Sequence, residues 1–199
     1  MSGHWDDVYA QRAPEKMSWF QPQASLSLEF IDAMQLSRHT PLLDVGAGTS
    51  LLVDGLLARG FGDVTLLDVS SQALELTRHR LESRSVETIA TDVTAWKPAR
   101  RYGLWHDRAV FHFLTQQPAR DAYRSALASA LAERAHVIVA TFALDGPERC
   151  SGLPVQRYGV EELADEFSDQ LRLVGARREW HVTPTGLEQP FVYAHFVRR

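Results

Sequence analysis

Cysteine is almost missing from this sequence. Cys150 stands alone in 199 residues, which excludes an intramolecular disulfide framework and any all-cysteine metal site. Long apolar runs are missing as well: no stretch approaches the roughly 18 residues a membrane helix requires. The opening Met-Ser-Gly-His-Trp-Asp-Asp lacks the basic and apolar regions of a signal peptide. Nor is there a basic excess, since 21 Lys and Arg face 25 Asp and Glu for a net charge of −4. Duplex-DNA binders replace phosphate counterions with positive side chains, so no nucleic-acid partner is expected. The eight histidines show no His-x-x-Glu-His spacing and no oxygen-rich acidic site can be assembled, so no metal is expected. These absences predict a cytoplasmic, reduced protein with no membrane partner.

What is present is an ordinary globular composition, 45% hydrophobic and 23% charged, enough for one domain with a full core. No repeat or linker divides it, and residues 1–199 read as a single domain. Within it, 1–39 form an aromatic N-terminal segment with a helix, and 40–199 form the core. The hydrophobic period alternates along that core. Pro41–Val45 is a short apolar run ending in glycines, the mark of a buried strand. Thr49–Arg59 reads helical, with Gly60 as its stop. Val64–Val69 is a strand. Ser70 then caps a helix carrying Ala73, Leu74, Leu76 and Leu81. Val86–Ala90 is a third strand and Tyr102–Phe111 contains a fourth. Pro118 opens a helix, and His136–Phe142 is a β-branched fifth strand. Strands alternating with helices predict a parallel sheet covered on both faces.

The tail breaks that rhythm. After a short helix near Val160–Phe167, Leu171–Val182 and Gln189–Val197 alternate like strands. Thr183-Pro184-Thr185-Gly186 leaves no room for a crossover helix between them, so the two must pair antiparallel.

The first strand runs into Asp44-Val45-Gly46-Ala47-Gly48-Thr49-Ser50 and then a helix. Glycines there let the backbone turn sharply and approach a ligand. Asp68 ends the second strand twenty residues after Gly48, where an acid can accept from ribose hydroxyls. Asp92 follows the third. Three acids at three strand ends converge on the crevice where open α/β sheets bind ligands. The dinucleotide fingerprint wants a glycine at position 51, which is Leu51. Asp44 ahead of the glycines would repel a pyrophosphate. It suits a cationic ligand such as S-adenosylmethionine instead.

The pattern resembles the class I S-adenosylmethionine-dependent methyltransferases over nearly the whole chain. Leu43–Ser50 looks like their first motif, with Ser50 in place of a common third glycine. Asp68 resembles their ribose-binding acid and Asp92 the residue beside the adenine amino group. The resemblance implies an α/β, Rossmann-like three-layer sandwich, its seven-stranded, mostly parallel sheet ending in an antiparallel hairpin. It also implies S-adenosylmethionine as cofactor, S-adenosylhomocysteine as product, and Ala47, Val69 and Val93 beside the residues already named.

Trp5, Tyr9, Trp19 and Phe20 crowd the first twenty residues. Their spacing is similar to the start of a methyltransferase subgroup that includes eukaryotic lysine methyltransferases acting on translation elongation factor. By that resemblance, Trp5, Tyr9 and Trp19 close over the methionine end of the cofactor, and Arg108 stands where the subgroup has a lysine near the cofactor. Aromatic faces attract sulfonium and ammonium groups, which agrees. In Trp105–Leu114, His112 lies just past the strand end and is the candidate general base. The Asn/Asp-Pro-Pro-aromatic signature of nucleic-acid amino-methyltransferases is absent, which argues against nucleobase N-methylation. The loop 146–158 lies at the edge of the sheet where function often sits. Its Cys150 has no nucleophilic task in methyl transfer.

A small-molecule acceptor is preferred, because the chain is compact and its aromatics can roof a pocket. A protein lysine acceptor is the alternative, favoured by the N-terminal resemblance. From other classes come a non-catalytic cofactor-binding partner subunit and a nicotinamide oxidoreductase. The intact acids oppose the first, and Leu51 with the terminal hairpin opposes the second.

Overall fold

In a computed structural model, which describes residues 2–82, 84 and 86–199, the chain folds around one twisted sheet. Met1, the first residue of the 1–39 segment, lies outside the described residues. The elements in chain order begin with helix α1 (Ser2–Gln11), a 3-10 turn (Pro14–Lys16) and α2 (Ser25–Ala33). Strand β1 (Leu42–Val45), α3 (Leu52–Ala58), β2 (Val64–Asp68), α4 (Ser71–Leu81), β3 (Glu87–Ala90) and β4 (Tyr102–Arg108) follow. A 3-10 turn (Phe111–Phe113) leads to α5 (Gln117–Ala130) and β5 (Leu131–Phe142). The small hairpin β6 (Arg149–Cys150) and β7 (Leu153–Pro154) precedes α6 (Val160–Glu166), β8 (Leu171–Val182) and β9 (Glu188–Arg198).

The main sheet has the order β3-β2-β1-β4-β5-β9-β8. Strands β1 to β5 pair in parallel, and β9 pairs antiparallel with both β5 and β8. The order reverses between β1 and β4, which is where such sheets open a crevice at their C-terminal edge. Every residue of β1 is buried, as a central strand covered on both sides must be. Leu43 and Val45 face α5 and α6 with Tyr123, Leu127 and Leu163. Leu42 and Leu104 face the other layer, where Leu28 and Ile31 of α2 and Leu52 and Leu56 of α3 lie. Period-two alternation thus divides the core into two half-cores. Each leucine buried there contributes roughly 1.5–3 kcal/mol.

The terminal hairpin spans Leu171–Val182 and Glu188–Arg198, as the alternating pattern predicts. Two boundaries differ from expectation by more than one residue. Strand β5 begins at Leu131 rather than His136, because Leu131 pairs with Tyr102 and its carbonyl accepts from Arg101. The helix expected over Thr49–Arg59 is shorter, Leu52–Ala58, since Gly46 to Ser50 are spent on the turn out of β1. No helix among the described residues is long and apolar enough to cross a membrane.

Candidate active site

Three strand ends build one side of the crevice. Gly46 follows β1 at φ +67° and Gly48 sits at φ +50°, in the left-handed region glycine enters without strain. Close approach demands glycine here as well. A β-carbon on Gly46 would collide with the Val110 side chain, and one on Gly48 with the Tyr9 hydroxyl. The loop turns its N–H groups into the protein. Gly46 and Ala47 donate to the Leu67 carbonyl at 2.7 and 3.1 Å, and Gly48 donates to Asp68 Oδ2 at 2.8 Å. A phosphate cradle needs those donors free. The donors this loop offers therefore fit a phosphate-free ligand.

Asp68 closes β2. Its Oδ1 accepts from the Ser70 N–H at 2.8 Å, so two backbone donors fix the carboxylate. Burial raises its pKa to about 6 against those hydrogen bonds, with Asp44 and Asp6 repelling in the same direction. Asp92 stands beyond β3, its Oδ1 held by the Thr94 N–H and hydroxyl at 2.9 and 2.7 Å.

A cavity lies above these acids. Val45, Gly46, Asp68, Val69, Asp92 and Val93 line it together with Trp5, Trp19, Phe113, Val110 and Cys150. The aromatic lining is built edge-on, Trp5 meeting Phe113 at 5.2 Å and Trp19 at 5.9 Å between ring centres. Tyr9 packs on Trp19 and over Gly48. Burial and then the charge of Asp68 push its phenol pKa up, so it remains a neutral hydroxyl.

A second cavity adjoins the first through Tyr9, Trp19, Gly46 and Arg108, which line both. Its far wall holds Asp44, Ala47, Ser27 and His106. Arg108 ends β4 and sits over the Phe191 ring at 4.4 Å. Its Nε donates to the Tyr193 hydroxyl at 2.8 Å and one terminal nitrogen to the Trp19 carbonyl at 3.2 Å. The other terminal nitrogen lies 3.5 Å from Glu179 and makes no hydrogen bond. Arg108 thus stands where the two cavities meet, its guanidinium held by Tyr193, Trp19 and the Glu179 carboxylate.

The structure thus brings Trp5, Tyr9, Trp19, Asp44, Gly46, Ala47, Asp68, Val69, Asp92, Val93 and Arg108 to the walls of two joined cavities. Gly48 stands behind them, holding Asp68. His112 does not join them. It is fully buried between Phe113 and Phe142, and its Nδ1 accepts from the Phe142 N–H at 3.4 Å. Burial, with Arg108 nearby, lowers its pKa to about 3. A general base must reach the proton it removes, and His112 lines neither cavity, so the geometry corrects that expectation. Ser27, His106 and Glu179 were not singled out from the sequence. Their partners lie far along the chain, and strand register together with the packing of α2 on the sheet brings them together.

The family model for a methyltransferase domain matches residues 42–134. The EEF1A lysine methyltransferase 2 of Danio rerio is 26% identical over 98 residues, covering 45% of this chain. The matched region spans 42% of that relative's length. A solved structure concerned with conversion of a disulfide bond into a thioacetal group during echinomycin biosynthesis superposes with TM-score 0.74 at 24% identity. It covers 100% of this chain and 93% of that one. The 1,6-didemethyltoxoflavin-N1-methyltransferase of Burkholderia thailandensis, with its substrate and S-adenosylhomocysteine bound, gives TM-score 0.65 at 20% identity. There the coverage is 98% of this chain and 83% of that one. Sheet order, glycine turn and these matches together give the conclusion: the chain has the Rossmann-like fold of the class I S-adenosylmethionine-dependent methyltransferases.

Proposed function

We propose that the protein transfers a methyl group from S-adenosylmethionine to a nucleophilic atom of a small-molecule acceptor. One observation carries this reading. A carboxylate fixed by two backbone donors, Asp68, shares a cavity with an edge-packed aromatic wall of Trp5, Trp19 and Phe113. The acid suits ribose hydroxyls, and the aromatic faces suit a cationic sulfonium. Asp92 and Val93 take the adenine, Asp44 the ammonium, and Arg108, where the two cavities meet, faces the carboxylate of the methionine end. When bound, S-adenosylmethionine supplies a methyl group already activated on sulfur.

The chain's own contribution is orientation and exclusion of water. Trp5, Trp19, Val110 and Phe113 supply the apolar lining. Residues 1–39 act as the lid of a single domain whose core is 40–199. That lining carries aromatic and aliphatic groups and the Cys150 thiol, whose pKa burial raises to about 11. Such a surface receives an acceptor that already has a free lone pair. Of the structural neighbours described above, one concerns conversion of a disulfide bond into a thioacetal group in echinomycin biosynthesis and the other holds 1,6-didemethyltoxoflavin, which supports a small-molecule acceptor.

A methyl-label assay with purified protein tests the reading against a small-molecule panel and a proteome extract. Label in small molecules supports it. Label in protein bands instead favours the lysine alternative suggested by the Danio rerio relative. Binding of S-adenosylmethionine without any turnover favours a non-catalytic partner subunit.

A further inference from the structure

On the far wall of the second cavity three polar side chains form a buried file. Asp44 and His106 are direct register partners on β1 and β4, so their side chains emerge side by side on one face of the sheet. Asp44 Oδ1 lies 2.7 Å from His106 Nδ1, and His106 Nε2 lies 2.8 Å from the Ser27 hydroxyl on α2. All three are at most 4% exposed. A carboxylate only accepts, so Nδ1 carries the imidazole proton and Nε2 accepts from Ser27. One carboxylate oxygen is thereby committed. Among the described residues no hydrogen bond engages Oδ2, and Asp44 lines the cavity.

The same residue types serve acyl transfer elsewhere, where backbone donors must be free to hold an oxyanion. Here the nearby Gly46, Ala47 and Gly48 N–H groups already donate to Leu67 and Asp68. Without an oxyanion site beside it, the Ser27 hydroxyl is placed to orient His106 rather than to attack.

We propose that Ser27 and His106 are positioning residues that hold Asp44 with Oδ2 turned toward the cavity, where it receives the ammonium end of the cofactor. Ser27 fixes the tautomer and ring angle of His106, and His106 fixes the carboxylate. The file acts on the amino-acid half of the ligand and not on the nucleoside half, which Asp68 and Asp92 serve. The inference rests on the methyltransferase reading.

Calorimetry with two ligands tests it. S-adenosylhomocysteine carries the amino-acid end, and 5′-methylthioadenosine keeps the nucleoside and thioether without it. Ser27→Ala and His106→Leu are expected to weaken S-adenosylhomocysteine at least fivefold while 5′-methylthioadenosine changes less than twofold. His106→Asn, whose amide can replace the Nδ1 donor, is expected to restore most of the loss. Equal weakening of both ligands, or unchanged S-adenosylhomocysteine affinity in folded Ser27→Ala, would overturn the positioning role. Wild-type protein that binds neither ligand overturns the methyltransferase reading and the inference with it. Wild-type binding with indifferent variants overturns the inference alone.

Discussion

Asp6 and Ser70 are joined by a hydrogen bond of 2.6 Å between carboxylate and hydroxyl, linking α1 to the cap of α4. Ser70 is also the acceptor for the Ala73 N–H, so one residue both starts α4 and holds the N-terminal helix. Asp6 additionally accepts from the Gln72 N–H at 3.4 Å. Asp6→Ala is expected to release α1 at a cost of about 1.5–3 kcal/mol for the lost charged hydrogen bond. Limited proteolysis within residues 2–20 should then accelerate, and the melting temperature of the remaining core should change little. Unchanged cleavage would show that Tyr9, Met17 and Ala73 hold the segment by packing alone.

Asp68 sets a pH dependence for the ligand. Its pKa in the folded protein is raised to about 6, so below that pH it is protonated and loses an acceptor. Ligand hydroxyl donors favour the ionised form, so S-adenosylhomocysteine affinity should be full above pH 7. Below about 6 it should fall, approaching tenfold per unit. Asp68→Ala should lower affinity at least tenfold, from about 1.5–3 kcal/mol per charged hydrogen bond, and flatten the profile. Calorimetry between pH 5 and 8 reads both. Because Asp6 repels the Asp68 charge, Asp6→Ala should also move the midpoint to lower pH.

Gly46→Val is expected to abolish ligand binding, since the new side chain must occupy the space of Val110 and the backbone sits at φ +67°. Pairing it with Val110→Ala relieves the collision but not the backbone strain, so rescue should be partial at best. Full binding by the single variant would show that this loop is not the cofactor turn.

His112 makes a stability prediction. Its folded pKa, lowered to about 3, lies below the ordinary histidine value of 6.5. The unfolded chain therefore binds the extra proton first. Its contribution is full above pH 6.5 and is lost progressively as pH falls toward 3. His195, lowered to about 4, acts in the same sense, whereas Asp68 and Asp107, raised to about 6, favour the fold as pH falls. Replacing His112 by Gln should remove one proton's worth of the acid sensitivity in urea unfolding between pH 4.5 and 7. Turnover should survive in the folded variant, because the side chain lines neither cavity.

Removing residues 1–20 tests the lid. The truncated chain is expected to lose turnover and to bind S-adenosylhomocysteine more weakly, because Trp5, Tyr9 and Trp19 form one wall of the cavity. Melting temperature and affinity measured on the same sample separate this from a stability effect. A folded truncation with unchanged affinity would reduce the aromatic cluster to packing.

The glycine turn and the acids behind it were legible because their signals are local. Asp44 and Asp68 lie within the last residues of β1 and β2, and Gly46 and Gly48 just past β1, strands that short apolar runs already mark. The terminal hairpin was legible for the same reason. Leu131–Ala135 was not: Leu-Ala-Glu-Arg-Ala favours a helix by itself, and pairing with β4 overrides that preference. His106 escaped notice because its meaning depends on the register between β1 and β4, and on a serine 79 positions away. Sequence spacing reports neither. His112 was over-read because position just past a strand end says nothing about which way the ring turns.

The Gln21 amide donates to Glu179 across a separation of 158 residues, and His181 meets the Ser18 carbonyl across 163. Arg108 stands between these partners, held by Trp19 on one side and Tyr193 on the other. On a ribosome, residues 18–21 emerge long before β8 and β9 exist. The glycine turn and its acids draw only on residues up to β4, but Arg108 lacks its Tyr193 and Glu179 partners until the last two strands join the sheet. A nascent chain halted before Glu179 would keep Ser27, Asp44 and His106 but lack the Tyr193 and Glu179 partners that hold the Arg108 guanidinium in place.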